Sequence, residues 1–195
     1  MSPVIKRIGL EGYEILNQQS KPGMVFVEVS PLKDPKQCVC CGGLNLYRKG
    51  RYQRRTRHLD CFGFRTELLV HTRRYHCQNC GKSFIPELPG IRKWRHSTEP
   101  YRRQVFEEHQ DGISGKRLAE REQIGSATVE RIYQQFTVLK ARERQSLNCP
   151  QVLGIDEHTL HRGYQMVTTL CDLKNRRIFD LVEGRSNKDL KAYFS

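Results

Sequence analysis

The sequence predicts an α+β chain built from several small modules in series. Three observations predict it. Hydrophobic residues make up 37% of 195 and mean hydropathy is −0.68, which is too lean for one large core. Two C-x-x-C-G pairs, Cys38/Cys41/Gly42 and Cys77/Cys80/Gly81, bracket a basic stretch. The apolar spacing is helical from Thr98 to Ile132 and strand-like from Pro150 onward.

Charge narrows the partner. The net charge is +13, which favours a polyanion, with nucleic acid first. Residues 148–195 hold 7 Lys/Arg against 6 Asp/Glu, leaving 27 against 15 in residues 1–147. The anion-binding character therefore belongs to the first three quarters. No run of about 18 apolar residues exists, so no spanning helix or membrane partner is expected. Met1–Leu10 lacks a signal-peptide core, so a cytoplasmic, nucleoid-associated location is expected.

In such a compartment the 8 cysteines read as metal ligands and spare thiols rather than disulfides. Each C-x-x-C offers two thiolates from one tight turn, and the following Gly supplies the backbone conformation that the turn needs. Cys38, Cys41, Cys77 and Cys80 together suit one tetrahedral, structural Zn²⁺ per chain. Cys40 is an alternative to Cys38 or Cys41; Cys61, Cys149 and Cys171 read as bystanders. The long gap between the pairs fits a zinc ribbon over residues 37–92. One strand leaves the first pair at Leu46–Arg54, and a second, Arg65–His76, enters the other. Residues 1–36 read as strands packing on the ribbon.

The ribbon strands carry Arg48, Lys49, Arg51, Arg54, Arg55 and Arg57, then Arg73 and Arg74, and a further group runs from Arg92 to His96. These groups suit phosphate contact, with Arg51, Arg54, Arg55, Arg57, Arg73 and Arg74 as the candidates. Tyr52, Tyr75 and Trp94 are either base-stacking aromatics or ordinary packing residues.

Residues 93–147 read as a helical module. Thr98 caps a helix with Pro100 in its first turn; Tyr101, Val105, Phe106 and His109 line one face, and Asp111-Gly112 ends it. From Ser114 to Ile132 the pattern L-A-x-x-x-x-I-x-x-x-T-V-x-R-I matches a helix-turn-helix. Ala119 suits the helix crossing, Ile124 the turn, and Val129 and Ile132 the packing of the second helix. Gln123 stands where the turn usually has Gly; Gly125 and Ser126 offer a flexible turn and a cap. In a DNA reader the second helix would present Ser126, Ala127, Thr128, Glu130, Arg131 and Gln134 to the major groove. A three-helix bundle that binds protein is the alternative.

Residues 148–195 read as three antiparallel strands followed by a helix start. The strands are Val152 to Arg162 with a turn at Gly163, Tyr164–Leu173, and Arg177–Val182. The helix opens at Ser186 or Asn187, with Leu190 and Tyr193 apolar. That order is the opening of an RNase H-like fold. Asp156 lies on its first strand; Asp172 and Asp180 read as surface residues, and His158 and His161 as hairpin-surface residues.

Taken in order, these features resemble the ISL3 family of bacterial insertion-sequence transposases. The motifs are Cys38-x-x-Cys41-Gly42, Arg57-His58-Leu59-Asp60, Arg73-Arg74-Tyr75-His76-Cys77-x-x-Cys80, Phe84-Ile85-Pro86-Glu87, the helix-turn-helix, and Leu153-Gly154-Ile155-Asp156-Glu157-His158. The resemblance implies that ribbon and helix-turn-helix bind double-stranded DNA at terminal inverted repeats, with a homo-oligomer allowed. It also implies a DDE core that cuts and joins strands with two Asp, one Glu and Mg²⁺. Asp156 matches the first Asp, while no residue here matches the second Asp or the Glu. The expectation is therefore a C-terminally truncated transposase that binds insertion-sequence ends, inactive alone, with Asp156 a relic and Mg²⁺ confined to a complete homologous core. A stand-alone zinc-dependent helix-turn-helix regulator remains the second reading, and an RNA-binding zinc ribbon a weaker third.

Overall fold

The computed structural model describes residues 8–144, 148–161 and 165–194. It divides into two compact units, Met1–Phe136 and Thr137–Ser195. Among the described residues, no helix is long and apolar enough to cross a membrane.

The first unit is organised by two hairpins. Strands β1 (Tyr13–Lys21) and β2 (Met24–Pro31) pair antiparallel, turning through Pro22-Gly23, where Gly23 has φ +73°. That Pro-Gly order suits a tight turn, because Pro presets the first central position and Gly tolerates positive φ at the second. Strands β3 (Leu46–Cys61) and β4 (Phe64–Cys77) form a long antiparallel hairpin. Phe62 and Gly63 close it with φ values of +54° and +77°, the pair of positive angles whose twist matches antiparallel strands. The hairpins join by parallel pairing of β2 with β4, from Met24 opposite Arg65 to Val29 opposite Val70. A short β5 (Ser83–Phe84) adds to β4 at the open end.

Period-2 alternation then decides what is buried. Val25, Val27 and Val29 of β2 and Leu68 and Val70 of β4 are fully buried on one face, under Ile8, Leu88 and Ile91. Each such side chain contributes about 1.5–3 kcal/mol. The same face carries His58, whose Nδ1 lies 2.9 Å from the Thr98 hydroxyl and whose Nε2 donates to the Ile8 carbonyl. Burial keeps this imidazole neutral, with its pKa below the ordinary value.

Three helices follow. In α1 (Glu99–Gln110) the Thr98 hydroxyl accepts from the Tyr101 N–H, and Tyr101, Val105 and Phe106 are buried. Helix α2 (Gly115–Glu122) is capped by Ser114 and buries Leu118 and Ala119. Helix α3 (Ser126–Arg144) buries Val129, Ile132 and Phe136, with Phe106 and Phe136 rings 5.2 Å apart. The α2–α3 turn is three residues long, and Gln123 itself adopts the left-handed conformation (φ +53°, ψ +45°). Glycine would reach that conformation more easily, but Gln123 also accepts a 2.6 Å hydrogen bond from Arg65 of β4. Ser126 does not cap α3: the Gly125 carbonyl accepts the first helical bonds, from Thr128 and Val129, so Gly125 holds the cap position.

The second unit contains an antiparallel sheet, β6 (Leu153–His161), β7 (Gln165–Asp172) and β8 (Arg177–Glu183), with β7 central, and helix α4 (Asn187–Phe194). Ser186 and Asp189 cap α4 reciprocally, each side chain accepting the other's backbone N–H. Val167 and Leu170 of β7 are buried, while Ile155, Leu160, Ile178 and Leu181 on the outer strands are about half exposed. Asp172 corrects the expectation of a surface residue. It is 2% exposed and shapes the β7–β8 turn, accepting from the Asn175 backbone at 3.1 Å and side chain at 2.7 Å and pairing with Arg177 at 3.3 Å. The expected turn at Gly163, the strand start at Tyr164 and the side chains of His161 and Tyr193 lie outside the described residues.

Candidate metal centre and nucleic-acid interface

The two cysteine pairs flank the open end of the β3–β4 hairpin and fold into near-identical turns. The Gly42 N–H donates to the Cys38 carbonyl and the Gly81 N–H to the Cys77 carbonyl, both at 2.9 Å. Gly42 and Gly81 have φ values of +72° and +70°, the conformation expected of the residue after each pair. Between the turns, the Gln78 N–H donates to the Asn45 carbonyl at 3.0 Å. Cys38, Tyr75, Cys77 and Phe84 form a small buried cluster at this end, with partly buried Leu46 and Cys80 packed against it.

The sulfurs of Cys38, Cys41, Cys77 and Cys80 lie within 4.8 Å of one another, with Cys38–Cys80 at 3.8 Å and Cys41–Cys77 at 3.7 Å. Zn–S bonds of about 2.3 Å in a tetrahedron give edges of about 3.8 Å, so the donor set fits Zn²⁺. The electrostatics agree. The Cys40 N–H, 3.4 Å from the Cys38 sulfur, helps draw that thiol down to about 6. Cys41 goes the other way, to about 12: the Gly43 N–H favours its thiolate, but desolvation and the Cys80, Cys77 and Cys38 sulfurs oppose another negative charge. Four thiolates share this space only around a cation. Cys40 is exposed and, with Cys61, Cys149 and Cys171, stands outside the cluster.

The structure sorts the basic residues. Arg51 and Arg73 are exposed and directly opposed across β3 and β4, and exposed Arg74 faces Gly50. The Arg55 side chain is 70% exposed, 3.6 Å from Glu67. Two of the expected DNA contacts are engaged within the fold. The Arg57 side chain is 10% exposed; it pairs with Asp60 at 2.6 Å and Glu122 at 3.4 Å, donates to the His58 carbonyl at 2.7 Å and lies 4.8 Å over the Tyr101 ring. It ties the sheet to α1 and α2. Arg54 donates to the carbonyls of Arg92 and Arg95, so it props a loop. Tyr75 points inward, 4% exposed, and its hydroxyl donates to Asp34. Trp94, in contrast, is 82% exposed.

On α3, Ser126, Ala127, Glu130, Arg131 and Gln134 are exposed and Thr128 is half-buried. The Arg131 Nε donates to the Ala127 carbonyl at 2.9 Å, and its Nη2 lies 3.3 Å from the Thr128 hydroxyl. Gln134 donates to Glu130 at 3.0 Å. In the second unit, Asp156 is exposed in the middle of β6, opposite Thr169. Among the described residues, the four cysteines are the one group of three or more metal-capable side chains, and Asp156 belongs to no such group.

Comparison with known proteins matches this architecture to two family models. Residues 34–80 match one described as the zinc-finger of transposase IS204/IS1001/IS1096/IS1165, an ISL3 zinc ribbon. Residues 153–195 match the ISL3 DDE model described as transposase. Over 194 residues the chain is 26% identical to the transposase for insertion sequence element IS1001 of Bordetella parapertussis, covering 95% of this chain and 46% of that protein. The chain thus spans about half the length of that relative. No solved structure matches it.

Proposed function

We propose, from this kinship with the ISL3 transposases, that the chain is a zinc-dependent DNA-binding protein of insertion-sequence transposition that recognises terminal inverted repeats. Cys38, Cys41, Cys77 and Cys80 hold one structural Zn²⁺, which fixes the open end of the β3–β4 hairpin and with it Arg51, Arg73 and Arg74 against the DNA backbone. Helices α2 and α3 act as a helix-turn-helix, with α3 in the major groove and Ser126, Ala127, Thr128, Arg131 and Gln134 at the base edges. The observation that carries this reading is the exposed polar face of α3, held by a three-residue turn in the more basic part of the chain. The second unit corresponds to the opening strands of an RNase H-like DDE core, with Asp156 as its first carboxylate. Two-metal strand transfer needs several carboxylates around ions about 3.5–4 Å apart, and Asp156 belongs to no group of three or more metal-capable side chains among the described residues. Binding without cleavage is the activity assigned to these residues.

Arg131 and Arg51 test the division of labour. Arg131→Ala is expected to weaken binding to a terminal-repeat duplex by about 5- to 150-fold, the worth of one bidentate base contact, and to weaken random duplex much less. Arg51→Ala is expected to weaken both equally and to reduce the salt slope by about 1. Equilibrium binding at several salt concentrations reads both. Equal losses for Arg131→Ala would move that residue to the phosphate backbone and remove the helix-in-groove reading.

A further inference from the structure

Trp94 is the one tryptophan of the chain. It is 82% exposed and sits at the third position of a turn closed by the Arg95 N–H to the Arg92 carbonyl at 3.1 Å. Its φ is +65°, a conformation that ordinarily takes Gly or Asn because a side chain there crowds the backbone. The indole packs into no core, so the fold gains nothing from tolerating it. Strain of this kind persists where the surroundings impose it, commonly at binding sites.

The surroundings do impose it. The Arg54 guanidinium donates to the carbonyls at both ends of the turn. Just beyond, Arg57 and the His96–Thr98 segment exchange backbone hydrogen bonds of 2.9 Å. The turn is also tied to α3. Arg92 lies 3.3 Å from Glu99, Glu99 accepts from Gln135 of α3 at 3.1 Å, and Gln135 accepts from the buried Arg102 at 2.6 Å. Arg102, 2% exposed, also lies 3.9 Å from Glu99, so one polar chain joins the turn to α3. The Lys93 ammonium stands 5.4 Å from the indole centre.

We propose that Trp94 is a base-stacking wedge: its indole inserts at a base step of the duplex, while Arg92, Lys93 and Arg95 neutralise the flanking phosphates and α3 occupies the neighbouring groove. The chemistry fits a nucleic acid, since each base offers an aromatic face to the indole and each phosphate an anion to the cations around it. This inference rests on the DNA-binding reading above and adds to it a site that deforms the duplex.

The test follows the fluorescence of the full, zinc-loaded chain, in which every tryptophan photon comes from Trp94, during titration with a duplex carrying 2-aminopurine at successive steps. The expected result is strong quenching of Trp94 and brightening of 2-aminopurine at one step as it unstacks. Trp94→Gly suits the backbone better and keeps the fold, yet is expected to bind about 5- to 150-fold more weakly, the range for losing one stacked base; Trp94→Phe recovers part of this. Unchanged emission with normal, salt-dependent duplex binding would overturn the wedge and leave the DNA-binding reading intact. Absence of duplex binding by the unmutated chain would overturn both. A blue shift on anionic vesicles, with no response to duplex, would assign the indole to a membrane surface and overturn the wedge.

Discussion

Chelating the zinc, or replacing Cys77 with Ser, is expected to melt the open end of the β3–β4 hairpin and abolish DNA binding. The reason is the imbalance between the two ends of the sheet. The far end is held by eight buried residues, including Val25, Val27, Val29, Leu68 and Val70. The ribbon end has four buried residues, of which Cys38 and Cys77 are themselves metal ligands in this account. Tyr75 and Phe84 cannot offset the ordering of two turns and a strand pair, whereas structural zinc in small domains contributes apparent free energies of about 10–16 kcal/mol. Hydrogen exchange is therefore expected to accelerate at Leu46–Lys49 and Tyr75–Cys80 after chelation, with the β2–β4 pairing still protected. Metal analysis is expected to give one Zn per chain. Because the ligands bind as thiolates, zinc affinity falls as pH falls and protons compete for the sulfurs. A metal-free protein with the same exchange pattern would contradict the assignment.

Arg57→Ala is expected to destabilise the first unit by about 1–3 kcal/mol, the usual cost of leaving buried hydrogen-bonding groups unsatisfied. Truncation leaves Glu122, at 10% side-chain exposure, facing a cavity with only the more exposed Arg121, 3.1 Å away, as its counter-charge. It also takes donors from the His58 and Thr66 carbonyls and the cation from the Tyr101 ring. A thermal or denaturant melt reads the loss directly. A surface phosphate contact would behave differently: stability would hold, and the salt dependence of DNA binding would drop by about one phosphate. Arg57→Lys is expected to recover only part of the stability, since an ammonium cannot reach Asp60, Glu122 and two carbonyls at once.

How much of this was readable depends on how local each interaction is. The Cys38/Cys41 and Cys77/Cys80 turns are written in five-residue motifs, each with the glycine its backbone needs. The Thr98 cap and the stripe of Tyr101, Val105 and Phe106 lie within one helix. The strands after Pro150 follow from a period of two. The inward partners of Arg57 and Arg54 are not legible, because an arginine in a basic strand looks solvent-exposed and these partners are remote in sequence: Glu122 for Arg57, the Arg92 and Arg95 carbonyls for Arg54. A signal was present in Arg57-His58-Leu59-Asp60, where the i,i+3 Arg–Asp pair brackets a histidine that faces the core. The parallel β2–β4 pairing left no local trace, since the first cysteine pair and all of β3 intervene. Asp172 was misjudged because Asn175 and Arg177 become its partners only once the β7–β8 turn has formed.

The most direct test of the DNA-binding account offers the full, zinc-loaded chain a pool of short duplexes from the DNA flanking its own gene, competing at physiological salt with random duplex. Selection of a discrete repeated segment by about 10³-fold or more is expected, protected over the span of one α3 and the adjoining Trp94 turn. Equal affinity for every duplex would reduce the chain to a non-specific polycation, and no affinity for duplex at all would remove DNA as its partner.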